Sequence, residues 1–341
     1  MRHMKNSHWC LVIILTALLP LYTQRASKQS LCKTPAAQKQ SPGAPEACKS
    51  PCQFRFVVYG DTRNSGPTAK DGDSTHQNIL EFVKGYNPLL ILQTGDLVFD
   101  GGDEKQWETF NRLTCFGKDA KITANRISYY PTPGNHDKCT RSNYEGYIPP
   151  GVRRNGKSFD YAFDVGTIRF IAIDTVIDQA KCNTQPTGDF NSQSWLEGEL
   201  KTARKERKLV VPFFHHAIWS VGQHGGEQNI TLRHKLHDEI FKRYQNVISL
   251  VFQGHDHIYY RAQRDGITYV TSGGGGVPLP NDDQLKLSEC KAGDLFKKAF
   301  NFSVCDVYPD KIEVRTYISD DSGSKFDLLF DAFTIPRETP Q

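Results

Sequence analysis

The sequence predicts an α/β fold in which a largely parallel sheet is covered by helices, and three observations predict it. Short runs of apolar and β-branched residues alternate with helical patterns from Phe54 onward. Most of these runs are apolar throughout, as strands buried on both faces are. Several of them stop at a polar side chain, and open α/β sheets gather their ligands beyond the strand ends. A composition of 38% hydrophobic and 23% charged residues is that of a globular protein.

Along the chain, Arg2, Lys5 and two histidines precede the apolar stretch Trp9–Leu19 and Pro20. A basic start before a short apolar stretch reads as a secretory signal peptide over residues 1–26. The stretch is shorter than the ~20 residues that span a bilayer, so no transmembrane span is expected after its removal, and the product is secreted or periplasmic. Residues 27–53 are rich in Lys, Gln, Pro, Ser and Ala without periodicity, and read as a flexible linker carrying cysteines. One domain over residues 54–336 follows.

Strands are expected at Phe54–Tyr59, Leu89–Leu92, Ile127–Tyr130, Ile168–Ile173, Leu209–Phe214, Val247–Phe252 and Ile267–Val270. Helical faces are spelled by Ile79, Leu80, Val83 and Tyr86; by Trp107, Phe110 and Leu113; by Trp195, Leu196 and Leu200; and by Leu232, Leu236, Ile240 and Tyr244. The tail alternates as strands at Ser303–Val307, Lys311–Ile318 and Leu328–Ile335. Gly273 to Gly276 read as a flexible turn near the rim of the sheet.

A net charge of +4 without a basic run of five marks no nucleic-acid-binding surface. Cys10 lies within the expected signal. The eight cysteines that remain, Cys32, Cys48, Cys52, Cys115, Cys139, Cys182, Cys290 and Cys305, suggest disulfides whose pairing the sequence leaves open. They are too dispersed for a zinc site. Asn229-Ile230-Thr231 and Asn301-Phe302-Ser303 are glycosylation sequons, relevant only in a host that glycosylates.

The polar residues at the strand ends carry the chemistry. Asp61 follows the first strand and Asp96 the second; Asn135, His136 and Asp137 follow the third. His215 and His216 end another strand, and His255, Asp256 and His257 follow the next. Any one of these is uninformative, since a lone His pair is usually surface or core. Five such sites in order, each behind a strand, point to one shared rim. Carboxylate, amide oxygen and imidazole suit zinc, iron or manganese, and two such ions form a hydrolytic centre. Cations also offset the repulsion that would otherwise push clustered acids up in pKa.

Gly60-Asp61, Gly95-Asp96, Gly134-Asn135-His136-Asp137, His215-His216 and Gly254-His255-Asp256-His257 together resemble the calcineurin-like metallophosphoesterases. Within that family, the stretch His215 to Gly226 is similar to the tartrate-resistant, purple-type acid phosphatases, with Ala217 in place of a proline. The resemblance implies two mixed sheets packed as a sandwich and flanked by helices, a four-layer arrangement. It implies two metal ions, divalent or trivalent, drawn from iron, zinc and manganese. Asp61 and His257 would hold the first ion, Asp96 would bridge, and Asn135, His215 and His255 would complete the second. His136 would contact the phosphate or leaving group, Asp137 would orient His136, and His224 would bind substrate or protonate the leaving oxygen. His216 reads as a supporting or packing histidine.

Two positions depart from the pattern. Many members carry Asp-x-His where this chain has Asp61-Thr62-Arg63, and the purple subset carries a metal-binding tyrosine where this chain has Phe99. Arg63 has no lone pair to give a metal. It reads either as a surface ion pair with Asp71 or Asp73, or as a phosphate clamp. The leading functional expectation is a secreted phosphomonoesterase acting on a small phosphoester, with a metal-bound hydroxide attacking phosphorus. The alternatives are a phosphodiesterase or nucleotidase of the same superfamily, and a non-catalytic phosphate- or partner-binding protein with a weakened first metal site.

Overall fold

The computed structural model describes residues 38–39, 48–66, 68–114, 127–137, 141–156, 158–176, 192–225, 229–320 and 322–337. The expected signal peptide and most of the expected linker lie outside the described residues. Among the described residues, no helix is long and apolar enough to cross a membrane.

The strands are β1 (Gln38–Lys39), β2 (Phe54–Tyr59), β3 (Leu90–Gln93), β4 (Ser128–Pro131), β5 (Arg153–Arg154), β6 (Tyr161–Val165), β7 (Ile168–Ile173), β8 (Leu209–His216), β9 (Leu250–Gly254), β10 (Tyr259–Arg264), β11 (Ile267–Ser272), β12 (Leu295–Lys297), β13 (Asn301–Val307), β14 (Lys311–Ile318) and β15 (Leu328–Pro336). The helices are α1 (Asp71–Tyr86), α2 (Glu104–Thr114), α3 (Arg141–Glu145), α4 (Gln193–Lys205) and α5 (Ile230–Arg233). They support two sheets rather than one. The first runs β1-β15-β14-β13-β2-β3-β4 and the second β12-β10-β11-β9-β8-β7-β6-β5.

The sheets are parallel at β2-β3-β4 and at β7-β8-β9-β11 and antiparallel elsewhere. The largely parallel sheet read from the runs is therefore corrected, and the two mixed sheets flanked by helices that the family resemblance implied are what the structure shows. The reason is loop length: β13 and β14 are joined by three residues and β10 and β11 by Asp265-Gly266, too few for a crossover. Asp265 and Gly266 both adopt positive φ, as a tight hairpin of right-twisted strands requires.

The sheets pack face to face. Phe56 of β2 meets Phe170 of β7 at 5.2 Å and Phe252 of β9 at 6.3 Å between ring centroids, both edge-on. Each such buried ring contributes roughly 1.5–3 kcal/mol. The residue after Phe170, Ile171, turns to the opposite face and joins Leu196 and Leu200 of α4 in a second apolar layer. The Leu232, Leu236, Ile240 and Tyr244 stripe is buried as its spacing requires, but the chain there is not one helix. It passes from α5 through a π-turn at His234–Asp238 to a 3-10 turn at Phe241–Tyr244.

Gly273 to Gly276 are buried, not a flexible turn. A side chain at Gly273 would lie 2.8 Å from the Asp61 carboxylate, so the chain passes too close for any Cβ. Cys48 and Cys52 form a disulfide and Cys290 is disulfide-bonded, whereas Cys305 is buried in β13 as a free thiol.

Candidate metal centre

The parallel strands β2, β3 and β4 of one sheet and β8 and β9 of the other end at a common rim. Asp61 follows β2, Asp96 follows β3, Asn135 to Asp137 follow β4, His215 and His216 close β8, and His255 to His257 follow β9. Asp61, Asp96 and His255 all adopt positive φ, at 59°, 54° and 70°. Left-handed backbone is costly for non-glycine residues and collects at functional sites. Gly95, at φ +98°, makes the turn into Asp96, and a Cβ there would lie 2.5 Å from His215 Nδ1.

His215 Nδ1 lies 2.8 Å from the Thr94 carbonyl, so it carries the proton and donates it there. Its Nε2 is left with a lone pair, 3.0 Å from Asn135 Oδ1, 3.4 Å from Asp96 Oδ1 and 3.0 Å from His255 Nδ1. Donor atoms around one ion at bond lengths of about 2.1 Å lie about 3.0–3.4 Å apart. With His255 in the tautomer that leaves Nδ1 unprotonated, these atoms present lone pairs to one point at the spacing a bound cation would take. Beside this group, the His257 ring is fixed by donating from Nδ1 to the Pro278 carbonyl at 3.0 Å, and its Nε2 faces Asp61 Oδ1 at 3.8 Å. Ligand atoms of Asp61, Asp96 and His215 also fall within 4.8 Å of one another. The residues present therefore fit two ions, with Asp96 between them.

The electrostatics follow. Burial and the neighbouring Asp96 push the Asp61 carboxyl well up. Burial also acts to raise Asp96, but His215, His136 and the Arg63 guanidinium outweigh it and hold Asp96 below the usual carboxylate range. Burial, and then the surrounding histidines, keep His255 well below its ordinary value, so it stays neutral and able to ligate. Burial followed by Arg63 lowers His257 to about 3.

Two expected roles change. Asp137 does not orient His136. Its carboxylate accepts the amides of Leu97 (2.8 Å), Val98 (3.1 Å) and Gly134 (2.8 Å), tying the Asp96 loop to the Asn135 loop. The Phe99 carbonyl orients His136, taking the Nδ1 proton at 2.6 Å and turning Nε2 to 4.0 Å from Asp96 Oδ2. Arg63 pairs with neither Asp71 nor Asp73. Its Nε donates to Asp96 Oδ2 at 3.0 Å, and it is largely buried. Asn64 takes Asp73 instead, at 2.9 Å.

His224 stands on the rim with its ring 4.2 Å from the His255 ring and its Nδ1 buried without a hydrogen-bond partner. His216 lies behind His255, with Nδ1 2.9 Å from the Thr175 hydroxyl. Sequence reasoning gave no role to Asp256, which is buried and accepts the His224 amide at 2.7 Å, or to Gln253, whose Oε1 takes the Ile218 amide at 2.9 Å. Both fix the segment running from β8 to His224. Asp256 lay in view within the Gly-His-Asp-His motif; Gln253 had no sequence signal.

The family model for calcineurin-like phosphoesterases matches residues 54–259. Purple acid phosphatase 18 of Arabidopsis thaliana is 23% identical over 249 residues, 66% of this chain and 51% of that protein. The chain thus spans about half the length of the purple acid phosphatases it matches. A 3',5'-cyclic-nucleotide phosphodiesterase of Nostoc is 26% identical over 206 residues, 59% of this chain and 70% of that protein. A dimetal phosphatase structure from Danio rerio superimposes with a TM-score of 0.54 at 13% identity, covering 84% of this chain and all of that one, a likeness of fold.

Proposed function

The chain belongs to the calcineurin-like phosphoesterase family, and we propose that it is an exported, metal-dependent phosphomonoesterase acting on a small phosphoester. The observation that carries this reading is the convergence of the His215, His255, Asn135 and Asp96 lone pairs beside the Asp61–His257 pair, with Arg63, His136 and His224 around the same basin.

Asp61, Asp96 and His257 would hold one ion, and Asp96, Asn135, His215 and His255 the other. Bound there, the ions supply an activated water and neutralise phosphoryl oxygens. The chain's own residues do the rest. Arg63, already aimed at Asp96, turns its guanidinium to the phosphoryl oxygens. His136, with its Nδ1 proton given to the Phe99 carbonyl, presents Nε2 to the phosphate or the leaving group. His224 gives a proton to the departing oxygen. The resemblance of the segment from Trp219 to His224 to purple-type phosphatases favours monoesters. The similarity to a cyclic-nucleotide phosphodiesterase supports a second reading, diester hydrolysis at the same centre. Export rests on the basic and apolar start of the sequence.

The test is elemental analysis of purified protein together with hydrolysis of nitrophenyl phosphate, its bis-ester, AMP and cyclic AMP after addition of Mn²⁺, Zn²⁺ or Fe²⁺. Two ions per chain and preference for nitrophenyl phosphate are expected, and His215→Ala should lose bound metal. Preference for the bis-ester or cyclic AMP would move the assignment to diesters. One tight ion and no turnover with any metal would leave a phosphate-binding protein.

A further inference from the structure

The asparagine of the sequon Asn229-Ile230-Thr231 is spent inside the fold. Asn229 precedes α5 and is 2% exposed. Its amide nitrogen donates to two main-chain oxygens, the Ala217 carbonyl at 2.7 Å and the His224 carbonyl at 3.2 Å. Ala217 is the residue after β8, and His224 packs against His255 at the metal rim. One side-chain amide therefore joins the two ends of the strap that carries His224.

His224 is held through its main chain. Its N–H donates to Asp256 Oδ1 at 2.7 Å and its carbonyl accepts from Asn229, so its peptide groups are fixed on both sides. The ring lies 4.2 Å from the His255 ring, with Nδ1 buried and without a hydrogen-bond partner. Between its ends the strap turns tightly. The Gly225 amide donates to the Gly222 carbonyl at 3.2 Å, and a Cβ at Gly225 would run into the Ser220 carbonyl. With no bond at Nδ1 to steady it, the ring depends on the ends of the strap for its place. Loss of the Asn229 amide would leave both carbonyls without that donor.

We propose that Asn229 is a positioning residue for His224, holding the imidazole beside the metal basin where it gives a proton to the leaving oxygen, and that its sequon is not a glycosylation site. The proposal rests on the phosphoesterase reading for the chemistry of His224, but not for the clamp itself. A glycan on Nδ2 would replace one of the two amide hydrogens, leaving one donor for two carbonyls.

The clamp affects esters unequally. Nitrophenolate departs without a proton, whereas the alkoxide of glycerol phosphate needs one. Asn229→Ala should lower kcat for glycerol phosphate by about tenfold or more, while kcat for nitrophenyl phosphate and the bound Mn²⁺ are retained. His224→Ala should show the same split. Equal losses on both esters, loss of metal, or a split that His224→Ala does not share would each overturn the positioning role. Independently of turnover, hydrogen–deuterium exchange is followed over residues 217–225 of metal-free protein. Faster exchange in Asn229→Ala is expected, and unchanged exchange would sink the clamp. Faster exchange together with a wild type that hydrolyses no ester would uphold the clamp and remove the phosphoesterase reading instead. The sequon is tested in the wild type, where no substitution can unfold the chain. Secreted from a glycosylating host, the folded protein should carry an unmodified Asn229 by peptide mass. Thr231→Ala, at an exposed position, removes the sequon and should change neither glycan content nor activity. A glycan on Asn229 of active protein would overturn the proposal.

Discussion

Arg63→Ala should make the metal-free protein less stable and its metal binding tighter. The Arg63 Nε donates to Asp96 Oδ2 at 3.0 Å, with the two side chains 12% and 1% exposed. A hydrogen bond between charged, buried groups contributes about 1.5–3 kcal/mol, and its loss leaves Asp96 facing Asp61 without a cation. The metal-free variant should therefore lose about 2 kcal/mol, roughly 4 °C of melting temperature. A divalent ion competes with the guanidinium for the same carboxylate. In the variant that competition is gone, so the same 2 kcal/mol returns as roughly thirtyfold tighter Mn²⁺ binding. Protein stripped with chelator is titrated with Mn²⁺ by calorimetry and melted at each metal concentration. The gap in melting temperature between wild type and variant should close as metal saturates. A gap that persists unchanged at saturation, with equal Mn²⁺ affinities, would show that Arg63 and the ion do not share Asp96. A second readout concerns the substrate: loss of a guanidinium that turns to phosphate raises KM for nitrophenyl phosphate. Unaltered kcat and KM would remove the clamp role.

Two other outcomes follow from buried groups. Burial lowers His76 from 6.5 to about 3, so the unfolded chain takes the proton first; stability present above pH 6.5 is lost as pH falls toward 3, on the order of 5 kcal/mol in all. His76→Gln keeps a partner for the Tyr59 hydroxyl, 3.3 Å away, and cannot take the proton, so its melting temperature should fall less between pH 6.5 and 4; an equal fall excludes His76 as the cause. Iron-loaded protein should show no visible tyrosinate band, because Phe99 presents a phenyl ring beside His136 with no oxygen to bind iron; a band that survives Phe99→Leu would mean a tyrosine from elsewhere reaches the centre.

What the sequence made legible was local. Asp61, Asp96, Asn135, His215, His255 and His257 each end or follow a strand whose apolar run can be read in a few residues, and the structure brings them to one rim. That the runs divide between two sheets was not legible in the runs themselves. β6 and β10 mix Tyr, Asp and Arg with apolar residues, and their role depends on partners far along the chain, as in the antiparallel register of Tyr259 with Ser272 and Lys297. The positive φ of Asp61, Asp96 and His255 was also hidden, because aspartate and histidine enter that region only when the surrounding fold holds them there.

The groups that decide which nitrogen binds metal are less visible still. Thr94 orients His215, Pro278 orients His257 and Phe99 orients His136, each through a backbone carbonyl. Every residue has a carbonyl, so no side-chain pattern announces these three. This also explains why Asp137 was misread: an acid beside a histidine looks like its orienting partner, yet three amides take the carboxylate and a peptide oxygen does the orienting. A site whose tautomers are set by main-chain oxygens is insensitive to the identity of the residues that supply them. Phe99 can then stand where relatives have a metal-binding tyrosine without disturbing His136, because its carbonyl keeps that duty while its ring is free to line a neighbouring cavity.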